Sequence, residues 1–392
     1  METVVGVGAS SDSNSKEAGM EACRQAFEKV SSPELVIVFA SSKLDQKEML
    51  SGVREISKGV PLIGCSTAGE ITSAGAAEGS VAVMAISSDV IDFTIGKGGD
   101  LKSGVREAGA QLVKNITGSA KDKTNCLLML TDVLNGNGAE VVRGIQDVLG
   151  SDTLIIGGAA GDDFLFKQTF NYYNGDISSS SVVGVGLSGD YGIGVGVRHG
   201  WVSIGAPMKA TKSKDAVLKE LDGKPAVSIY EDYFGKKAEE LREEPLAKLA
   251  ITYPLGMSVE GSDELLIRDP ITVDAEGAIT CAAEIPEGAE VRLMIGSKEE
   301  AIAAAKDAAQ KALAQLAGKT PRAVIVFNCI ARRKLFGRDA GDEIAAIREV
   351  LGKDVPLIGF YTYGEIAPFN ESADKPFSRF HNETAVVAVI GD

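Results

Sequence analysis

The sequence predicts an α/β protein with three internal β-α-β-α-β-β repeats and an inserted segment that is β-rich or irregular. Short, continuously apolar runs alternate with stretches whose apolar residues recur every three or four positions, as expected for buried strands and amphipathic helices. The motif PLIGCSTAGEI (61–71) returns as PLIGFYTYGEI (356–366) with eight of eleven residues identical, and TLIIGGAAGDD (153–163) is a weaker copy. The same order of elements surrounds each copy, which is typical of repeated units.

The first repeat is predicted over about residues 1–90. Its motif, which we call an anchor, is an apolar strand that runs into a turn of small residues and a carboxylate. The predicted elements are a strand at 4–10, a helix at 15–30, a strand at 35–41, a helix at 45–59, the anchor at 61–71 and a strand at 81–87.

The second repeat is predicted over about 91–190 and the third over 290–392. In the second, the elements are predicted at 92–98, 104–116, 126–132, 139–150, the anchor and 182–188. In the third, they are predicted at 290–297, 298–316, 323–329, 342–352, the anchor and 385–391. Gly150 and Gly352 lie where the second helix of each repeat should end.

The segment between these repeats, about 201–289, follows a different pattern. Glycine-spaced residues at 191–205 predict one strand or two, 215–235 is predicted as a helix broken at Lys-Pro, and 265–288 as a hairpin with its turn at 274–277. The pattern leaves open whether this segment is a degenerate fourth repeat or an insertion.

Composition restricts the classes of partner. The 392 residues contain 40 Lys and Arg against 55 Asp and Glu, a net charge of −15, which disfavours nucleic acid. There is neither a secretory signal pattern nor an apolar run long enough to span a membrane. The five cysteines include no CxxC pair, which favours reduced thiols in the cytoplasm over disulfides or a zinc site. We therefore expect a cytoplasmic protein without a metal site.

The anchor turns are the first candidates for ligand contact, because ligands of α/β sheets bind outside the carboxyl ends of strands. Glycines let backbone N–H groups approach an anion, and a carboxylate can bind an ammonium group, so the pair suits an amino acid zwitterion. A tight turn capped by the glutamate is the structural alternative. The candidates are Cys65, Ser66, Thr67 and Glu70 in the first anchor, and Tyr361, Tyr363 and Glu365 in the third.

The two histidines mark two further candidate sites. His199 lies between Arg198 and Trp201, a cluster suited to an anion or, with haem, to an axial imidazole. His381 and Asn382 precede the last strand and are predicted to lie near Tyr361. A hydrogen bond within the fold is the alternative role for either histidine.

Two thiols raise the alternative of catalysis. Cys65, with His381 and Glu365 nearby, would make a nucleophilic site, and the pKa of Cys329 could be lowered by Arg332 close to it in sequence. Cysteine is also common in cores, and Cys65 is replaced by Phe360 in the third anchor, as packing allows. We expect no catalysis, with a thiol enzyme using Cys65 as the alternative.

Five motifs together resemble the FIST family of sensory proteins: GCSTAGEI, RHGW, FNCIARR, GFYTYGEIAP and FHNET. The resemblance implies a FIST N-like domain over 1–200 and a FIST C-like domain over 201–392. It implies a stand-alone intracellular sensor of a small ligand, an amino acid or related metabolite, that signals to a separate output protein. It implies no cofactor, or haem if the chain is similar to the family's nitric-oxide sensors.

Overall fold

The computed structural model describes residues 2–120, 123–235, 246–259, 264–369 and 377–392. Their strands and helices form three α/β units and an insert. The first unit contains β1 (Val4–Ser10), α1 (Ser15–Phe27), β2 (Leu35–Ser41), α2 (Gln46–Ser57), β3 (Leu62–Thr67), β4 (Glu70–Thr72), β5 (Gly75–Ala77) and β6 (Val81–Ser87). The second contains β7 (Ile91–Lys97), α3 (Val105–Thr117), β8 (Cys126–Thr131), α4 (Gly138–Leu149), β9 (Leu154–Ala159), β10 (Asn171–Tyr173), β11 (Asp176–Ser178) and β12 (Val182–Gly189).

The third unit is interrupted after its first strand by the insert. The insert contains β14 (Trp201–Lys214), β15 (Val217–Leu221), β16 (Lys224–Pro225), α5 (Ser228–Phe234), α6 (Leu246–Ala250), β17 (Leu255–Met257), β18 (Leu266–Arg268), β19 (Pro270–Val273), β20 (Ile279–Cys281) and β21 (Glu290–Gly296). The third unit contains β13 (Gly192–Arg198), α7 (Lys298–Gln315), β22 (Pro321–Cys329), α8 (Ile330–Phe336), a 3₁₀ turn (Gly337–Asp339), α9 (Ala340–Leu351), β23 (Leu357–Thr362), β24 (Glu365–Pro368), β25 (Ser378–His381) and β26 (Ala385–Gly391).

Each unit builds one six-stranded sheet whose last two strands come from another unit. The strand orders are β1-β6-β2-β3-β10-β11, β7-β12-β8-β9-β24-β25 and β13-β26-β22-β23-β4-β5. The second and third strands of each unit (β2 and β3, β8 and β9, β22 and β23) pair in parallel, and the other neighbours in each sheet are antiparallel. The short hairpin after each anchor therefore binds one unit to the sheet of another.

The predicted repeat pattern needs two corrections. Each unit carries a hairpin that the prediction lacks, because the residues after each anchor pair with a distant sheet rather than with their own. The third unit also opens with β13, whereas 290–296 lies in the sheet of the insert and pairs with β14. The segment 201–296 is thus an insertion within the third unit and not a fourth copy of it.

Alternation along the strands explains their continuous apolarity. Leu35, Ile37 and Phe39 face a central core shared by the three sheets, while Val36 and Val38 pack under the outer helices. Strands covered on both faces are apolar at every position. The carboxyl ends of the parallel strands, where the anchors turn, therefore lie close together.

Glycines in the first strands allow the helices to approach closely. A Cβ added at Gly6 or Gly8 would lie 2.0 or 2.2 Å from the carbonyl oxygens of Ala26 or Ala22 in α1. Gly194 and Gly196 of β13 meet α7 in the same way, with 1.8 Å to the corresponding carbonyl oxygens. The glycine spacing of these strands is therefore a requirement of packing.

The insert is mainly β-structure around a core of its own. The prediction of a helix at 215–235 is wrong for the first half of this segment. There, β15 and β16 form a hairpin around a turn at Asp222 and Gly223. The hairpin predicted with its turn at 274–277 is confirmed by the pairing of β19 with β20. Within the described part of the chain, no helix combines the length and apolarity needed to cross a membrane.

Candidate functional site

The three anchor turns interlock through their backbones. Ala68 N–H donates to Tyr361 O at 3.0 Å, Tyr363 N–H to Ala159 O at 3.1 Å, and Gly161 N–H to Ser66 O at 2.9 Å. Each anchor thus bonds to the next around a closed ring. The turns lie together, but their polar groups are largely occupied by this ring.

The two anchor glutamates are capping groups inside the fold. Glu365 is 0 % exposed and accepts hydrogen bonds from Thr362 Oγ1, Thr384 Oγ1 and Thr384 N. Glu70 makes the equivalent bonds with Thr67 and Ser80. Burial raises the pKa of Glu365 to about 8 and that of Glu70 to about 7. Both carboxylates thus make their hydrogen bonds inside the fold, as in the alternative of a tight turn capped by the glutamate.

The remaining candidates of the first anchor are also enclosed. Cys65, Ser66 and Thr67 are each 0 % exposed, and Ser66 Oγ donates to Gly161 O at 2.7 Å. Burial, and then the nearby Glu70, raise the pKa of the Cys65 thiol well above its usual value. A thiol kept protonated inside the central core is a poor nucleophile, which counts against a thiol enzyme using Cys65.

Arg332 is a structural residue and not a surface ligand. It is completely buried, forms an ion pair with Glu343, and donates to the carbonyl oxygens of His199, Glu383 and Ala301. Its guanidinium lies 5.4 Å from the ring centre of the buried Trp201. The pKa of Cys329 is accordingly not lowered, because burial raises it well above the usual range.

Six of the sequence candidates line two cavities on either side of the segment 381–384: Arg198, His199 and His381 line one, and Cys329, Tyr363 and Asn382 line the other. We call the first, of about 220 Å³, the charged cavity; it is lined by Val195, Gly196, Val197, Arg198, His199, Glu264, Leu265, Ile267, Lys311, Ala314, Gln315, Pro368, Phe369, His381 and Thr384. We call the second, of about 70 Å³, the aromatic cavity; it is lined by Phe164, Phe166, Ala250, Ile251, Asp269, Pro270, Ile271, Ala282, Cys329, Ile330, Ala331, Tyr363 and Asn382.

His381 and Asn382, both expected near Tyr361, line different cavities. Tyr363 and His381 line different cavities, and Tyr361 is 0 % exposed beneath the guanidinium of Arg333. Sequence reasoning also missed the acidic residues Glu264, Asp269 and Glu383. Glu383 lies inside the FHNET motif, but nothing local in the sequence links it to Asp269.

Charges of both signs surround the charged cavity. Arg198 donates from Nη1 to Glu264 Oε2 at 2.8 Å and from Nε to Asp307 Oδ2 at 2.6 Å. Lys311 Nζ lies 3.7 Å from the same Asp307 oxygen. Glu264 comes from the insert, and the other three residues come from β13 and α7 of the third unit. The cavity thus lies across the junction between these two parts.

Both histidines of the charged cavity are held neutral. Burial lowers the pKa of His199 to about 4, helped by Arg332 and Arg198. Burial also lowers the pKa of His381 to about 3, although its hydrogen bond to Ala367 opposes this shift. At neutral pH these rings therefore contribute hydrogen-bonding groups without charge.

The hydrogen bonds fix the tautomers of these rings. His199 Nδ1 accepts from Trp201 N–H at 2.9 Å, so its Nε2 carries the proton. His381 Nε2 lies 3.0 Å from Ala367 O and therefore also carries a proton. Neither Nε2 has a lone pair for an axial bond to iron, so these histidines do not fit a haem bound through that nitrogen.

The aromatic cavity lies at the carboxyl end of β22. Phe166 stacks on Tyr363 with ring centres 4.5 Å apart, and Phe164 lies 5.0 Å from Phe166. The Asp162 carboxylate holds this wall, because it accepts from the backbone N–H groups of residues 166–168 and from Tyr363 Oη. An apolar wall is thereby fixed in front of Asn382 and Asp269.

Comparisons with known proteins cover nearly the whole chain. A family model described as the FIST N domain matches residues 34–224, and one described as the FIST C domain matches 226–368. The chain is 29 % identical over 386 residues to the uncharacterized protein Rv0628c of Mycobacterium tuberculosis, covering 93 % of this chain and 94 % of that protein. It is 26 % identical over 388 residues to the uncharacterized protein Mb0898c of Mycobacterium bovis, with the same coverage of each chain.

A search of solved structures finds a distant likeness. The cyanuric acid hydrolase of A. caulinodans aligns with a TM-score of 0.38 and 9 % sequence identity, over 99 % of each chain.

Proposed function

We propose that this chain, which belongs to the FIST family, binds an amino acid or related zwitterionic metabolite in the charged cavity. The protein then reports the binding to a separate signalling protein. FIST domains are associated with sensory signal transduction. The proposal adds the site and the chemical class of the ligand to that role. It assigns binding without turnover and no cofactor.

The observation that carries the proposal is the pairing of opposite charges around one cavity. Arg198 and Lys311 can bind a carboxylate, and Glu264 can bind an ammonium group. The volume of about 220 Å³ exceeds the roughly 150 Å³ that accommodates benzene, which suits a metabolite the size of an amino acid. The neutral His199 and His381 offer hydrogen bonds without disturbing this balance.

The ion pair between Arg198 and Glu264 couples ligand binding to the contact between the third unit and the insert. A zwitterion can exchange with this pair by presenting its carboxylate to Arg198 and its ammonium to Glu264. A partly exposed ion pair contributes only about 0–1 kcal/mol, so the exchange costs little. Because Glu264 belongs to the insert and Arg198 to the third unit, ligand binding would change the contact between them. A ligand that favours one arrangement of this contact shifts its population.

A thermal-shift screen tests the chemical class of the ligand. Each amino acid is compared with its decarboxylated amine and its deaminated acid at equal concentration. We expect stabilisation by at least one amino acid and none by its two analogues, since each analogue matches only one half of the charge pattern. Stabilisation by the deaminated acids alone would reassign the cavity to anions.

Two further readouts on the same sample address the alternatives. Protein produced with ample haem should show no stoichiometric Soret band, and a stoichiometric band would favour a gas sensor. The best ligand, incubated with protein and followed by NMR, should stay chemically unchanged. Conversion of the ligand would make the protein an enzyme.

A further inference from the structure

We propose that the aromatic cavity is a second ligand site, separate from the charged cavity, that binds a small primary ammonium ion carrying a short apolar tail. The site lies between the Phe164–Phe166 wall and the polar residues Asp269 and Asn382. It is independent of the function proposed above, because it shares no lining residue with the charged cavity.

Two buried side-chain oxygens at the aromatic cavity receive no N–H hydrogen bond from the part of the chain that the structure describes. Asn382 is 2 % exposed and lines the cavity, and its Oδ1 receives no hydrogen bond from any described residue. Asp269 Oδ1 is buried and equally receives no N–H hydrogen bond within the described ranges. Buried acceptors without donors are rare in folded proteins, and a ligand that donates would satisfy them.

The charge of this group is the second argument. A side-chain hydrogen bond joins Asp269 to Glu383, which requires one proton between the two carboxyl groups. Burial raises the pKa of both carboxyl groups, that of Asp269 to about 6 and that of Glu383 well above its usual value, so the proton of the pair is assigned to Glu383. Asp269 therefore keeps a negative charge beside the cavity.

The neighbouring guanidinium groups do not supply the missing donors. Arg268 donates to the backbone oxygens of Glu284, Ile267 and Phe380. Arg332 is occupied by Glu343 and by three backbone carbonyls, one of them that of Glu383 itself. An ammonium group brings three donors and a positive charge, which match Asp269 and Asn382 better than a neutral hydroxyl does.

The apolar wall defines the rest of the ligand. The rings of Phe166 and Tyr363 face the cavity, and Phe166 is 50 % exposed at its rim. Asp163, Phe164 and Phe166 adopt positive φ angles of 54°, 68° and 53°, a strained conformation for residues other than glycine. Such strain persists where the surroundings enforce it and is frequent at ligand sites. The volume of about 70 Å³ is roughly half of a cavity that holds benzene, which limits the tail to a few carbons.

Calorimetry with n-propylammonium chloride tests the proposal on the full chain. We expect saturable binding by the parent, at least about tenfold weaker binding by Asp269→Asn, and undiminished binding by the exposed control Asp176→Asn. Equal affinity of propan-1-ol and propylammonium would replace the ammonium assignment with a neutral donor. Absence of saturable binding, or equal affinity of Asp269→Asn and the parent, would overturn the proposal.

A second variant covers the case in which Asp269→Asn does not fold. Phe166→Ala removes half-exposed apolar surface and should fold. It should weaken propylammonium severalfold while changing methylammonium less, because only the longer ligand reaches the wall. If Phe166→Ala loses affinity equally for both amines, or for neither, the aromatic cavity is not their binding site. Glu264→Gln, a change in the charged cavity, should leave propylammonium binding unaltered, so failure of either proposal can be distinguished from failure of the other.

Discussion

The two cavities share the segment 381–384 as a wall but differ in how their charges are satisfied. In the charged cavity, Arg198 is already paired with Glu264 and Asp307. In the aromatic cavity, Asp269 Oδ1 and Asn382 Oδ1 receive no N–H hydrogen bond from the described residues. His381 and Thr384 face the first cavity, whereas Asn382 faces the second.

The charge pattern of each cavity, and not only its volume, determines which ligand it can bind. A cavity with paired opposite charges favours a ligand that carries both, since exchange then leaves no charge unmatched. A cavity with unmatched acceptors favours a donor and a cation. Four predictions test this comparison.

The largest effect is expected at the shared wall. Arg332→Ala removes the buried partner of Glu343 and the donor to the backbone of both His199 and Glu383. The free energy of unfolding should fall by about 3–5 kcal/mol, because an uncompensated carboxylate remains buried. Both ligands should lose affinity together. Urea unfolding measures the change, with the exposed Arg338→Ala as control; a loss below about 1 kcal/mol would show that the wall does not depend on Arg332.

A smaller effect, confined to one cavity, is expected at Asp162. Asp162→Ala leaves three backbone N–H groups and the Tyr363 hydroxyl without their acceptor. We expect a loss of about 1–3 kcal/mol of stability. Calorimetry should show weaker propylammonium binding and unchanged binding of the amino acid. Equal loss of affinity for propylammonium and for the amino acid would mean that the two cavities are one site.

The anchor glutamates line neither cavity. The pH dependence of the free energy of unfolding tests whether Glu365 is buried in its protonated form. The pKa of Glu365 is raised from 4.5 to about 8, so the folded chain holds a proton that the unfolded chain has lost in that range. This group therefore lowers the free energy of unfolding as pH rises from about 4.5 to about 8. Glu365→Gln, which cannot ionise, should lack this part of the decline.

Unfolding measured at pH 5 and pH 8 checks the sign. From pH 5 to pH 8, the free energy of unfolding of Glu365→Gln should increase relative to that of the parent by about 1 kcal/mol or more. Glu70 contributes a similar decline and the histidines an opposite change below pH 6.5, but both are common to the two proteins. A difference independent of pH would mean that Glu365 is ionised in the fold. Weaker ligand binding by Glu365→Gln than by the parent would show that Glu365 contributes to a ligand site.

Much of the fold was predictable because it is encoded locally. Strands such as 35–41 are apolar at every position, and the helices between them have regular apolar spacing. The first strand of the third unit was misassigned because the insert separates it from its helix. The glycine spacing shared by VVGVGAS and GIGVGVR was the available signal, since in both strands it lets a helix approach.

The site was predictable only in part, because its partners are distant in sequence. Residues of the motifs RHGW and FHNET line the two cavities. Glu365 accepts hydrogen bonds from Thr384, which lies 19 residues further along the chain. The acidic pair joins the insert to the third unit at Asp269 and Glu383. Neither relation leaves a local pattern in the sequence.

The most direct test of the zwitterion site is calorimetric titration of the best amino acid from the thermal-shift screen into the parent, Glu264→Gln and the exposed control Glu287→Gln. Loss of a charged hydrogen bond should weaken binding to Glu264→Gln by about 1.5–3 kcal/mol, or about 10- to 150-fold. The control should bind as the parent does, and all three should unfold at similar temperatures. If Glu264→Gln binds the amino acid as tightly as the parent, the charged cavity is not the site that recognises its ammonium group.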